Sequence, residues 1–84
     1  MPQKYNELKK NVLAVLETRG WLTPQMIKSL SGFRGTAVAW YLNRLKDYGL
    51  LHRRGRYRGR LIVFRISQRG RQRLAWLQRR MHLR

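Results

Sequence analysis

The sequence predicts a mainly helical α+β domain, in which three helices are followed by a two-stranded β-hairpin and a closing helix. Three observations predict it. Apolar residues recur at three- and four-residue intervals in separate stretches, a period-two run follows a glycine-bounded basic segment, and glycine stands where the early helical patterns stop. The chain has 84 residues, 43% of them hydrophobic, which suits one modest core and hence a single domain over residues 1–84.

From Lys4 to Arg19, the residues Tyr5, Leu8, Val12, Val15 and Leu16 fall at helical intervals, with Lys and Glu between them. Gly20 supplies the left-handed C′ position that ends this first helix, and Trp21 and Leu22 form a short extended link. Thr23-Pro24 is a helix start, because the Thr hydroxyl accepts from an orphan backbone N–H and proline at the first helical position loses no bond. Leu22 and Ile27 have the spacing of a hydrophobic staple. The second helix is expected to run to about Leu30, burying Ile27 and Leu30, and Ser31-Gly32 breaks it. A third helix, roughly Gly35 to Tyr48, buries Val38, Leu42 and Leu45 and stops at Gly49. A short helix, a glycine-containing turn and a longer helix make the helix-turn-helix order.

Leu50 and Leu51 open a strand that continues through His52, Arg53 and Arg54. The return strand, from Arg60, sets Ile62, Phe64 and Ile66 on one face by alternation, and Gly55-Arg56-Tyr57-Arg58-Gly59 turns the hairpin. Leu61 and Val63 point to the other face, which is then expected to be partly covered. Ser67 caps a final helix that carries Leu74, Leu77 and Met81 as a stripe, with Trp76 on a different side. That stripe has two candidate partners, the first helix and its own copy in a second subunit.

Twenty Lys+Arg against three Asp+Glu give a formal charge of +17, a field whose self-repulsion a polyanion would relieve. The charge is uneven: residues 1–51 hold eight basic and three acidic side chains, whereas residues 52–84 hold twelve arginines and no acid. The second segment is therefore the expected electrostatic footprint, and its apolar content separates it from a disordered basic tail. Without cysteine, disulfides, zinc fingers and thiol catalysis are excluded. Glu7, Glu17, Asp47, His52 and His82 are scattered, and neither a phosphate-cradling glycine loop nor a nucleophile motif is present. No catalytic residue, metal or cofactor is expected. The apolar runs are too short to span a bilayer and the N-terminus carries no apolar signal segment. The expectation is a soluble cytoplasmic protein without a membrane partner, nucleoid-associated if prokaryotic.

Three stretches carry a resemblance: Leu30-Ser31-Gly32-Phe33 as a turn; Val38, Leu42 and Leu45 leading to Tyr48-Gly49-Leu50-Leu51; and Val63-Phe64-Arg65-Ile66-Ser67 followed by Gly70 and Leu74. In this order and spacing the chain resembles the winged helix-turn-helix superfamily of DNA-binding proteins, and the last two stretches resemble patterns of its MarR-like and PadR-like transcriptional regulators. The likeness runs over nearly the whole chain. Arg34 departs from it, standing where a Ser or Thr cap is frequent. The extra helices through which larger MarR-like regulators dimerise and bind ligands have no counterpart, so effector sensing is not implied.

The resemblance implies that the third helix enters the major groove of double-stranded DNA, with Arg34, Thr36, Ala37, Trp40, Asn43 and Arg44 as its contact residues. Arg44 has the donors for guanine O6 and N7, and Asn43 has an amide donor for adenine N7 and an amide acceptor for adenine N6–H. Arg53, Arg54, Arg56, Tyr57, Arg58 and Arg60 form an arginine-rich wing for the backbone or minor groove. Arg69, Arg71 and Arg73 stand near a helix N-terminus, where the macrodipole disfavours cations, and are expected to extend a phosphate track. Two rivals to a transcriptional regulator are weighed: an architectural protein that coats DNA without preference, and an RNA-binding or ribosome-associated winged helix. A homodimer would use the C-terminal helix as its seam.

Overall fold

The structure, a computed structural model, describes residues 5–55 and 61–82. Its elements run α1 (Tyr5–Arg19), α2 (Pro24–Ser31), α3 (Val38–Asp47), β1 (Leu51–Arg54), β2 (Val63–Ile66) and α4 (Gln68–His82). This is the expected four helices and antiparallel hairpin, in the expected order.

Local chemistry accounts for most of the boundaries. Gly20 closes α1 at φ 80°. The Thr23 hydroxyl accepts from the Met26 N–H, Pro24 takes the first helical position, and Gly32 ends α2 in the left-handed region. α3 begins later than the sequence indicates. Gly35, at φ 100°, holds the chain outside helical backbone, and Ala37 precedes the helix without a side-chain cap. β2 likewise begins at Val63 rather than Arg60.

α1 is the central helix, packed against α2, α4 and β2. Coverage from several directions widens its buried face, so Leu13 joins Val12 and Leu16 at full burial, whereas Tyr5, expected inward, is exposed at the helix start. Leu30 is a second correction, 44% exposed. α2 turns Ile27 and Ser31 inward instead, and the Ser31 hydroxyl donates back to the Ile27 carbonyl at 2.6 Å. The core is completed by Val38, Leu42 and Leu45 of α3, Phe64 and Ile66 of β2, and Leu74 and Leu77 of α4. Leu74 and Leu77 thus face inward, and α4 packs on α1. Met81, third in the expected stripe, lies outside the described side chains.

In the hairpin Leu51 pairs with Ile66 and Arg54 with Val63. The link before α2 adds to it: Leu22 and Phe64 exchange backbone hydrogen bonds of 2.9 and 2.8 Å. Val63 is half-buried on the outer face, but Leu61 is 77% exposed and not covered as expected.

One junction joins α3, the hairpin and α4. The Ser67 hydroxyl donates to the Gly49 carbonyl at 2.6 Å and accepts from the Gly70 N–H at 2.9 Å, so a single oxygen closes α3 and caps α4. Gly70 lies so close to the Leu50 carbonyl that a Cβ there would collide with it and with Ile66. Among the described residues no helix is long and apolar enough to cross a membrane.

Candidate nucleic-acid interface

The outer face of α3 follows from its inner one. With Val38, Leu42 and Leu45 buried, the helical period turns Trp40 and Arg44 outward and sets Tyr48 next in line beyond the last turn. Trp40 is 62% exposed and Tyr48 48%. The Arg44 guanidinium lies between them, 5.2 Å from the Trp40 ring centroid and 5.6 Å from that of Tyr48, and donates to the Tyr48 hydroxyl at 2.9 Å. Its planar fork is thereby held extended along the helix surface.

Asn43 is tied at both ends of its amide. Its Nδ2 donates to the Ala39 carbonyl at 2.9 Å, and its Oδ1 accepts from Arg53 Nη1 at 3.2 Å. Arg53 sits in β1 and is half-buried. α3 and the root of the hairpin are therefore linked by side chains as well as by the chain between them. Arg54, the next wing residue, lies 4.5 Å over the Trp21 ring in the link before α2. Arg34, Thr36 and Ala37 are exposed in the segment that leads into α3. The remaining wing residues of the sequence reading, Arg56, Tyr57, Arg58 and Arg60, lie outside the described residues.

The three arginines expected as one track do not share one side. Arg69 and Arg73, four apart, border a depression of about 260 Å³ together with Tyr5, Lys9, Tyr48 and Leu50. Arg71 falls on the opposite flank of α4, about 200° around from Arg69 at 3.6 residues per turn. All three are exposed.

Sequence reasoning did not find Tyr48, Trp21 or Lys9 as parts of this surface. The four-residue spacing of Trp40, Arg44 and Tyr48 is a local signal that would have shown Tyr48. No local signal joins Trp21 to Arg54.

Burial also acts on the inner side of α3. Tyr41 packs against Phe33, with ring centroids 5.5 Å apart, and its hydroxyl meets no hydrogen-bond partner among the described residues. Desolvation, with a smaller contribution from Tyr5, raises its pKa well above the usual tyrosine value. Among the described residues no group of three or more His, Cys, Asp or Glu could hold a metal ion.

No protein-family model and no curated protein sequence matches the chain. Solved structures do. Sso10a-2, a DNA-binding protein from Sulfolobus solfataricus, superposes with a TM-score of 0.77 at 13% identity, over 94% of this chain and 79% of that one. The PcaV transcriptional regulator from Streptomyces coelicolor, solved with its natural ligand, gives 0.74 at 24% identity over 87% and 52%. YusO from Bacillus subtilis gives 0.72 at 22% identity over 84% and 51%. The chain thus spans about half the length of YusO and PcaV. With the element order and the α3–hairpin geometry, these likenesses define the fold: the chain folds as a winged helix-turn-helix domain.

Proposed function

We propose that the chain binds double-stranded DNA as a sequence-preferring transcriptional regulator, with α3 in the major groove and the arginine-rich wing, about residues 52–60, on the backbone or minor groove. The observation that carries this reading is the tie between Asn43 and Arg53, which makes the reading helix and the wing root one cationic surface. Rigid presentation matters because base-edge contacts need side chains held at a defined distance and angle. Arg44 is the base reader in this proposal, exchanging the Tyr48 hydroxyl for guanine O6 and N7, and Asn43 acts by positioning Arg53. Thr36 and Ala37 meet thymine methyls or phosphates. α3 starts without a side-chain cap, and its orphan N–H groups suit a phosphate. Sso10a-2 and PcaV are described as a DNA-binding protein and a transcriptional regulator, which supports the same direction.

Backbone contact by α4 extends the proposal to Arg69, Arg71 and Arg73. Each phosphate neutralised steepens the salt dependence of binding, so Arg71→Glu is expected to weaken duplex affinity and flatten its salt slope.

A second reading, an architectural protein that coats DNA without preference, is favoured by the engagement of Asn43 within the fold and by the many arginines outside α3. In vitro selection from random duplexes at moderate salt separates the two. The selected site is expected to bind roughly a thousandfold more tightly than scrambled DNA at the same salt, and a ratio near one overturns sequence preference. Palindromic selected sites with half-sites about one helical turn apart would show that a dimer is the reading unit.

A further inference from the structure

α4 has fifteen residues and no acid. Leu74 and Leu77 meet the needs of the core, yet the helix also carries a second ordered stripe. Arg69, Arg73, Trp76 and Arg80 are spaced four, three and four apart, which places them along one side of the helix over roughly 16 Å. Trp76 is 40% exposed, with the guanidinium carbons of Arg73 and Arg80 at 5.5 and 5.0 Å from its ring centroid. Arg69, Gln72, Arg73 and Trp76 line an open depression of about 420 Å³. A neighbouring one, bordered by Arg69 and Arg73, reaches Tyr48 and Tyr5, over whose ring Lys9 sits at 4.5 Å. Cations and aromatic rings are therefore interspersed from the end of α3 to Arg80 in α4.

We propose that this stripe is a second nucleic-acid site, one that takes an unpaired nucleotide strand by stacking its bases on Trp76 and pairing its phosphates with the flanking cations. Three considerations select that occupant. A duplex shows phosphates and base edges and keeps its base faces stacked, so it has no use for a part-exposed indole flanked by guanidinium groups, whereas unpaired bases stack on aromatic rings and guanidinium planes. A second copy of the chain would set the same acid-free stripe against itself and be repelled. The depressions beside Trp76 give a splayed base room next to the cations that would hold its backbone. The inference shares Arg69 and Arg73 with the duplex reading but does not rest on it, because the stacking ring of Trp76 and the Arg80 beside it lie outside that reading.

The test is a titration of the full chain with labelled oligo(dT) and oligo(U) strands of about twelve nucleotides, and with a duplex, at one salt concentration. Trp76→Ala changes no charge; it is expected to weaken strand binding about tenfold, with an unchanged salt slope and duplex affinity held within about twofold. Trp76→Phe keeps a ring and is expected to restore most of the loss. Arg80→Gln is expected to flatten the strand salt slope by about 0.7, the share of one phosphate. Equal strengths for dT and U mark a site for either polymer, and a preference names the one it takes; both outcomes uphold the proposal. Strand affinity that ignores Trp76→Ala, or that falls by the same factor as duplex affinity, overturns it.

Discussion

The outer faces of α3 and α4 use the same ingredients in different ways. On α3 an arginine lies between two aromatic rings and is also fixed by a hydrogen bond to one of them, and the neighbouring asparagine is held at both ends. On α4 a tryptophan lies between two arginines that meet it through the ring. Directional hydrogen bonds fix distance and angle, which reading a base edge demands; ring-face contacts tolerate sliding, which suits successive bases of any identity. A strongly cationic chain can thus divide its surface by how tightly each cation is held.

The largest expected effect falls on what both faces share. Gly70→Val forces a side chain into the Leu50 carbonyl at the α3–hairpin–α4 junction, and is expected to cost about 3 kcal/mol and lower the melting temperature by roughly 15 °C. Calorimetry checks it; an unchanged melting temperature would mean that the two faces are not braced through this point. Next in size, Arg44→Ala is expected to weaken selected duplex binding by about ten- to hundredfold and leave oligo(dT) binding nearly intact, with Arg44→Lys a poor substitute because it lacks the fork. Equal losses on both ligands would erase the distinction between the faces.

Asn43→Ala tests the positioning role. Losing one hydrogen bond of about 1 kcal/mol to Arg53 is expected to lower duplex affinity about fivefold for all sequences alike. A loss confined to sites with one particular adenine would reassign Asn43 as a direct reader. The smallest effect lies on the inner side of α3. Tyr41→Phe removes a buried hydroxyl that has no partner among the described residues, so it is expected to be neutral or stabilising by up to about 1 kcal/mol. The sign with pH is definite: burial holds Tyr41 protonated in the folded chain, whereas the unfolded chain releases its proton near pH 10. This contribution to stability is fully present below about pH 10 and is lost as pH rises further, and Tyr41→Phe should blunt that loss in urea titrations at pH 8 and 10.5.

Much of this architecture is legible in residue order. Thr23-Pro24, Gly20, Gly32 and Gly49 mark helix ends through chemistry confined to one turn, and each does so in the structure. The period-two run ending at Ile66 likewise finds its partner strand. The misses are where distant packing outweighs a local pattern. Leu13 is buried because helices and a strand crowd α1 from several sides, and Leu30 is exposed because α2 needs only a narrow inner face. The start of α3 is misread for a local reason, the left-handed backbone at Gly35. Of the candidate interface, the outward position of Trp40 and Arg44 is readable from the burial of Val38, Leu42 and Leu45. The engagement of Asn43 by Arg53 and of Arg54 by Trp21 is not, since neither pair shares an element.

Sequence alone determined the element order, the stops and caps of its helices and the crowding of cations into residues 52–84, because periodicity, capping and charge are properties of neighbours along a chain. Only the tertiary structure decided which cations are tied across elements, Arg53 to Asn43 and Arg54 to Trp21. Those ties depend on how α3 packs on β1 and how α1 gathers α2, β2 and α4, and a helical period assigns a side chain to a direction without saying what it will meet there.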